Sequence, residues 1–85
     1  MITSRQVRAA RALLGWTQEE LADRALVALT ALKRLEAERP LAVRDDTRKA
    51  VRRALELAGV AFITSERHRG VILALPTTEA GQEQG

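Results

Sequence analysis

The sequence contains no cysteine and a single histidine, His68. Without cysteine, a disulfide scaffold, a thiolate zinc site and thiol catalysis are all excluded. One histidine cannot form a metal site alone, and no cluster of carboxylates accompanies it in the sequence. We therefore expect no metal and no cofactor. We also expect no enzymatic activity, because no nucleophile is paired with an acid or a base.

Long apolar segments and aromatic residues are also scarce. No segment approaches the roughly 18 uninterrupted apolar residues that indicate a membrane helix, and the N-terminus MITSRQVR lacks the apolar core of a signal peptide. The sequence therefore predicts a cytoplasmic protein without membrane contact. Its only aromatic residues are Trp16 and Phe62 among 85 residues. A domain this small has a marginal core, which favours association with a second copy.

The charge balance is basic, with 14 lysine and arginine residues against 11 acidic ones and a net charge of +3. Residues 76–85 carry Glu79 and Glu83 and no basic residue, so the positive excess lies on residues 1–75. Such a balance favours a polyanionic partner, although many basic proteins never bind nucleic acid.

The N-terminal third of the sequence contains the start signals of two consecutive helices. Thr3 and Gln6 have the spacing of a capping box, Ile2 and Val7 occupy the staple positions around it, and Gly15 can end the helix after Leu13 or Leu14. The device is repeated in the next segment. There the Thr17 side chain is expected to cap the helix, and the Glu20 side chain to hydrogen-bond back to the capping residue. Trp16 is expected in the core, where it packs against Leu21 as a hydrophobic staple.

The C-terminal half predicts one further helix and a hairpin. A helix start at Asp45-Asp46-Thr47 is followed by an apolar face made of Val51, Ala54, Leu55 and Ala58, and then by Gly59. VAFIT (60–64) and VILAL (71–75) indicate two strands joined by a polar loop ending in Gly70. The sequence thus predicts a mainly α fold of four or five short helices followed by a two-stranded β-hairpin. Its parts are a helical domain at 1–59, the hairpin at 60–75 and a disordered tail at 76–85.

The segment 17–39 permits two interpretations, because it contains neither glycine nor proline. Its apolar residues are spaced 4-3-4-3, a pattern that one long amphipathic helix would also give. These residues are Leu21, Ala25, Ala28, Leu32 and Leu35.

The same segment resembles a known family. The run TQEELA at 17–22, followed by Val27, Leu32 and Glu36, is similar to the helix-turn-helix of the phage-repressor-like (XRE/Cro) transcriptional regulators. Their usual pattern is T-Q-E-x-L-A, four variable or small positions, then G-V-S-x-x-T-I-x-x-x-E. RAARALLGW resembles the first helix of these proteins. TRKAVRRALELAGVAFI resembles the closing helix and strand of short bacterial members, so the resemblance covers roughly residues 3–64.

Two residues depart from the family pattern. Leu26 stands where the family has glycine at positive φ, a strain of about 1–2 kcal/mol. Ala28 stands where the family has a serine or threonine cap, a loss of about 1 kcal/mol. Both departures favour the single long helix. That helix, however, would expose Leu26 and Leu29, and the resemblance favours the helix-turn-helix.

The resemblance implies a recognition helix at about 28–37 that enters the major groove of double-stranded DNA. Val27, Leu32 and Leu35 would then face inward. Ala28, Leu29, Thr30, Lys33 and Arg34 would face DNA, with Lys33 reading a base and Arg34 binding phosphate.

Further basic and polar residues could hold the DNA backbone. Gln18 would fix a phosphate at the start of its helix, and Arg5 or Arg8 would contact the backbone. The competing interpretation is a solvated surface, in which Lys33 and Arg34 pair with Glu36 or Glu38 and the arginines of the first helix face water. Arg67-His68-Arg69 is likewise either an exposed turn or a wing that touches phosphate.

Both faces of the predicted hairpin are apolar, so one face needs a cover from outside the chain. We expect a homodimer formed through Val60, Phe62, Ile63, Val71, Ile72 and Leu73. A two-fold dimer would bind an inverted-repeat operator and act as a nucleoid-associated regulator of transcription. The alternative is an antitoxin or an adaptor-type protein-binding module that also binds DNA, with a toxin or a polymerase subunit as its protein partner.

Overall fold

The computed structural model describes residues 1–37 and 42–75. Its elements are α1 (Ser4–Leu14), α2 (Gln18–Ala25), α3 (Leu29–Glu36), α4 (Asp45–Leu57), β1 (Val60–Thr64) and β2 (Arg69–Leu73). Four helices followed by an antiparallel two-stranded sheet confirm the predicted fold class. The tail predicted to be disordered, 76–85, lies outside the described residues.

Helix α1 begins and ends as its sequence predicts. The Gln6 backbone N–H donates to Thr3 Oγ1 at 3.2 Å, and the Thr3 N–H donates to Gln6 Oε1 at 3.0 Å, so both halves of the capping box are formed. Ile2 and Val7 are buried on either side of this cap. The helix ends at Gly15, whose φ of 71° is easily reached without a side chain.

Helix α2 has half of the predicted capping box. Thr17 Oγ1 accepts from the Glu20 N–H at 3.0 Å. The carboxylate of Glu20, predicted to reach back to the cap, instead accepts from Arg24 one turn later, at 3.1 Å. The guanidinium of Arg24 lies 4.4 Å from the centre of the Trp16 ring. Trp16 is half-buried and packs against the core, so the prediction of a core tryptophan holds for part of its surface.

A tight turn separates α2 from α3, and the single long helix is therefore wrong. Leu26 adopts the left-handed conformation, with a φ of 58°, and α2 ends there. Two backbone bonds close the turn: the Val27 N–H donates to Ala22 O at 3.0 Å, and the Leu26 N–H donates to Asp23 O at 3.3 Å. Breaking the helix here lets Leu32 and Leu35 of α3 become buried in the core. Leu26 itself is 90% exposed and contributes nothing to that burial.

The core lies between the helices and one face of the hairpin. Helix α4 starts at the predicted place, and Asp45 and Asp46 in its first turn suit the positive end of the helix dipole. Leu21, Leu32 and Leu55, from α2, α3 and α4, are completely buried. The core residues of the described chain are Ile2, Val7, Ala10, Leu21, Ala22, Ala25, Leu32, Leu35, Val51, Ala54, Leu55 and Val60.

Strand β2 begins two residues earlier than predicted. The Ser65 N–H donates to His68 O at 2.9 Å, and the His68 N–H donates to Ser65 Oγ at 3.0 Å, which closes a four-residue turn. Because the turn closes early, Gly70 pairs with Ile63 inside the sheet rather than ending the loop. The strand correspondingly ends at Leu73, two residues before the predicted end.

The two faces of the hairpin alternate as the sequence predicts. Val60, Phe62, Val71 and Leu73 form the inner face, which packs against the helices. The outer face contains Ala61, Ile63 and Ile72, and its isoleucines are 41% and 56% exposed. One face is therefore covered by the chain itself, and the other is not covered by any described residue.

Candidate nucleic-acid interface

Helix α3 presents a polar face opposite its buried one. Leu32, Leu35 and Glu36 are buried, and Thr30 lies on the opposite side of a helix with 3.6 residues per turn. Lys33 and Arg34 flank Thr30 and are exposed. Their side chains make no ion pair with any residue that the structure describes, so the competing interpretation in which either one pairs with Glu36 is not formed. Its other partner, Glu38, lies outside the described residues.

Glu36 is instead held by three residues from other helices. The Arg11 guanidinium donates to both carboxylate oxygens, at 2.8 Å each, and Gln18 Nε2 donates to Oε1 at 3.1 Å. Arg8 donates to the backbone carbonyl of Glu36 at 3.1 Å, at the negative end of the α3 dipole. This Glu36 network, consisting of Arg8, Arg11, Gln18 and Glu36, joins α1, α2 and α3.

Burial and pairing within the Glu36 network show which of its residues make structural contacts. The side-chain hydrogen bond from Arg11 to Glu36 raises the pKa of Arg11 above its ordinary value, so this guanidinium stays charged. The side chain of Glu36 is 3% exposed, which makes its pairing with Arg11 a structural contact. Gln18 is half-buried at the start of α2, where the first N–H groups of a helix have no partner within the helix.

The other predicted DNA-facing residues do not all lie together. Ala28 precedes α3 in extended conformation, is exposed, and has no side-chain cap, as expected for alanine. Leu29 is half-buried and packs against the core, so part of its surface is unavailable to DNA. Arg5 is exposed but lines a groove with Arg69 and Gly70, beside the hairpin rather than beside α3.

A groove beside Arg34 contains two residues for which the sequence predicts no contact with DNA. Thr47 is predicted only as part of a helix start, and Arg44 is given no role. The groove has a volume of about 230 Å³ and lies between α3 and the start of α4. Its polar lining consists of Thr30, Arg34, Arg44 and Thr47. Arg44 is 83% exposed and donates to both carboxylate oxygens of the exposed Asp46, at 3.2 and 3.0 Å. No local pattern signals this arrangement, because it depends on how α4 crosses α3.

The hairpin residues predicted for dimerisation are divided between two environments. Val60 is buried within its own chain, and Phe62, Val71 and Leu73 pack against its core. Ile63 and Ile72 are the members of this set that reach the surface. Arg67 and His68 of the turn and Arg69 at the start of β2 are exposed, and Arg69 Nη1 donates to the carbonyls of Ser65 and His68.

Two further observations concern other kinds of site. In the described ranges, no three histidine, cysteine, aspartate or glutamate side chains lie close enough to hold a metal ion. The helices of these ranges are too short or too polar to cross a bilayer.

The geometry of α2, the Leu26 turn and α3 is that of a helix-turn-helix. A family model described as Helix-turn-helix matches residues 7–43, which include all three. Residues 7–43 are therefore similar to the helix-turn-helix family, which supports the XRE/Cro-like type that the sequence resembles. Such domains bind double-stranded DNA and serve in regulators. No curated protein matches the chain.

Proposed function

We propose that this protein is a sequence-specific regulator of transcription that binds an inverted-repeat operator as a homodimer. Helix α3 is its recognition helix, and the protein acts in the cytoplasm, on the nucleoid of a bacterial cell, without catalysing a reaction. The observation that carries this proposal is the exposed polar face of α3, centred on Thr30, on a helix whose other face is fully buried. A helix held this firmly by its core can present side chains to base edges without rearrangement.

Within this proposal the residues have different roles. Ala28, Leu29 and Thr30 lie at the start of α3 and approach base edges, and Lys33 reads a base beside them. Arg34 binds phosphate together with Arg44 and Thr47, which line the same groove. On the other flank, Gln18 and the first amides of α2 approach the opposite phosphate strand, and Arg8 supports the end of α3. Arg5 contributes to backbone binding from its place beside the hairpin.

The proposal is tested by selecting bound duplexes from a random library with the purified full-length chain. We expect the selected sites to show two-fold symmetry with half-sites about 34 Å apart, or one helical turn. Thr30→Ala and Lys33→Ala should then lose about 1–3 kcal/mol of specific binding, with a smaller loss on random DNA. Lys49→Ala is the matched control, because the chain has two lysines and Lys49 lies on α4 beside Met1.

Equal losses in Lys33→Ala and Lys49→Ala would show that α3 is not the reading helix. Failure of the selection to enrich any sequence would contradict specific DNA binding altogether.

A protein-binding role is a second candidate, favoured by the exposed isoleucines on the outer face of the hairpin. In that case the chain is an antitoxin or adaptor with a protein partner, such as a toxin or a polymerase subunit, and regulates its own gene through DNA. Purification of the tagged chain from its source cells would identify a stoichiometric partner, whereas a homodimeric regulator purifies alone.

A further inference from the structure

The first turn of α3 differs in chemistry from the second turn, which carries the exposed cations. Ala28, Leu29, Thr30 and Ala31 form the start of the helix, and Thr30 alone among them has a hydrogen-bonding side chain. This first turn contains no acidic residue. The start of a recognition helix is the part that meets base edges in the major groove. In this protein that part is therefore mostly apolar.

The described chain leaves this apolar start uncovered. Ala28 is exposed, Ala31 is half-buried, and both line an open groove of about 380 Å³. Leu29 packs against the core with part of its side chain and presents the rest to solvent. Because the core holds this leucine in place, its exposed part loses little conformational entropy on binding a ligand.

The first turn lacks the groups that identify three of the four bases. Guanine and adenine are recognised in the major groove by paired hydrogen bonds from arginine, lysine, asparagine or glutamine, and cytosine is recognised by a carboxylate. None of these side chains occurs from 28 to 31, and the Thr30 hydroxyl can bond to several base edges and so distinguishes them weakly. Against alanine and leucine, the polar edges of these three bases would lose water without regaining hydrogen bonds.

Thymine is the base that offers an apolar group in the major groove. Its C5-methyl group is contacted by alanine, by the methyl group of threonine and by other apolar side chains. Ala28, Leu29 and Thr30 all supply such groups. Burial of one methyl group contributes about 0.8 kcal/mol, which is about fourfold in affinity. Contact with methyl groups is therefore the means by which the first turn can discriminate between sequences.

The cations of the second turn favour DNA as the occupant of this surface. Lys33 lies one turn after Leu29 on the helix, and Arg34 lies one turn after Thr30. Neither cation makes an ion pair with a residue that the structure describes. An apolar protein surface would leave both charges without a partner, whereas a duplex offers phosphates and guanine edges to them beside the methyl groups.

We propose that the first turn of α3 recognises a pyrimidine base that carries a methyl group at C5. This inference rests on the proposed function and names the base chemistry that its recognition helix selects. Thymine is one source of the methyl group. The other is 5-methylcytosine, which places the same group at the same ring position of a base paired with guanine. A half-site with cytosine at this position would therefore be bound more tightly when that cytosine is methylated.

The first experiment measures the affinity of the full-length chain for the selected operator after single thymines are replaced by deoxyuridine. This replacement removes the methyl group and keeps the base pair. Opposite the first turn of α3 we expect affinity to fall about fourfold per methyl group, and about 15-fold when both half-sites are changed. Thymines outside the half-sites are the control, and their replacement should leave affinity unchanged.

A second set of duplexes separates the two sources of the methyl group. The thymine–adenine pair at a sensitive position is replaced by cytosine–guanine, with the cytosine either methylated at C5 or unmodified. We expect the methylated duplex to bind about fourfold more tightly than the unmodified one. Equal binding of the two duplexes would overturn the inference, because a feature of thymine other than its methyl group would then be recognised.

Leu29→Gln tests the protein side of the contact. Glutamine is similar in length to leucine but presents an amide, so thymine and uracil should then bind with similar affinity at one sensitive position. The preference is a ratio of two affinities of the same variant, so a loss of stability does not change it. Leu13→Gln is the matched control, because it makes the same substitution at a leucine of α1 that is 47% exposed. It should keep the fourfold preference.

Equal affinity for thymine and uracil throughout the half-sites would overturn the inference and leave the proposed function intact. Selected half-sites without any thymine would do the same, as would a full preference for thymine retained by Leu29→Gln at every position. Failure of the selection to enrich any sequence would instead contradict the proposed function, and it would be recognised before any modified duplex is made.

Discussion

Leu26 is the residue at which local preference and tertiary structure disagree most. A leucine with a φ of 58° carries a strain of about 1–2 kcal/mol relative to ordinary backbone conformations. Its side chain is 90% exposed, so no burial offsets this strain directly. The compensation comes from the residues that the turn redirects, because Leu32 and Leu35 can be buried only if the chain bends before α3.

Replacing Leu26 should therefore be tolerated or favourable. Leu26→Gly relieves the strain but adds about 0.5–1 kcal/mol of unfolded-state entropy, so the net gain in unfolding free energy is about 0–1.5 kcal/mol. Leu26→Asn, which also accepts the left-handed region, should behave similarly. Urea denaturation at fixed protein concentration measures both, with DNA binding retained. A loss above about 1 kcal/mol in both variants would mean that Leu26 is packed in solution.

Glu36 shows how a residue on the recognition helix can serve structure instead of DNA. Its carboxylate is surrounded by donors from α1 and α2, and Arg11 binds it in a bidentate fashion. Removing only one partner of such a pair is strongly destabilising, because it leaves the other charge poorly solvated. The network thereby fixes the distance from α3 to the start of α2, which sets the spacing between the base-reading and phosphate-binding residues.

We expect Glu36→Gln to lower the unfolding free energy by about 2–4 kcal/mol, since it leaves the Arg11 guanidinium, 21% exposed, without its counter-charge. In a cycle with Arg11→Met, the double variant should lose less than the sum of the single losses, with a coupling of about 1–3 kcal/mol. Glu20→Gln is the control, because its pair with Arg24 is exposed. Additive losses would show that the pair does not act as a unit.

Among the elements, α1 is hydrogen-bonded to the hairpin through Gln6, a side chain that has two tasks. Gln6 accepts from the Thr3 N–H to complete the capping box, and it donates to two carbonyls of the hairpin. The first contact spans three residues, and the second contact joins residues 57 and 64 positions apart. The helix start and the sheet are therefore linked through one amide group.

Gln6→Glu separates these two tasks. Glutamate can still accept from the Thr3 N–H, but its carboxylate would face the carbonyl oxygens of Ile63 and Gly70 without a donor. We expect faster amide exchange in β1 and β2 with α1 retained. Thr3→Ala is the converse control, because it weakens the cap by about 1 kcal/mol and keeps the hairpin contact. Equal protection of the hairpin in Gln6→Glu would show that these two bonds do not hold it.

The sequence predicted the elements better than their connections, for a physical reason. The capping box of α1, the glycine stop after it and the alternation of the strands depend on neighbours within a few residues, and each is predicted correctly. The start of β2 was misplaced because the Ser65–His68 turn competes with the apolar pattern of the strand. The contacts of Glu36 with Arg11 and of Gln6 with Gly70 join distant residues, so no local spacing could reveal them.

At the scale of the whole molecule, the distribution of basic residues matters more than the net charge of +3. Arg8 and Arg11 belong to the Glu36 network, and Arg24, Lys49 and Arg52 form ion pairs on helix surfaces. Lys33, Arg34 and Arg44 lie along α3 and its groove, and of these Arg44 pairs with the exposed Asp46. This is the basic surface suited to phosphate. Only a part of the basic residues is thus placed to displace counterions from DNA.

This distribution predicts the salt dependence of binding. The three basic residues assigned to the DNA backbone, Arg5, Arg34 and Arg44, would neutralise about six phosphates in a homodimer, and each phosphate contributes about −0.9 to the slope of log affinity against log salt. We therefore expect a slope between about −4 and −7 in titrations of the selected operator at several salt concentrations. Arg44→Gln should flatten this slope by about two in the homodimer, whereas Lys49→Gln should leave it unchanged. A slope shallower than about −2 for the unaltered chain would contradict duplex DNA as the main ligand. An equal response to the two substitutions would instead place the phosphates elsewhere than beside α3.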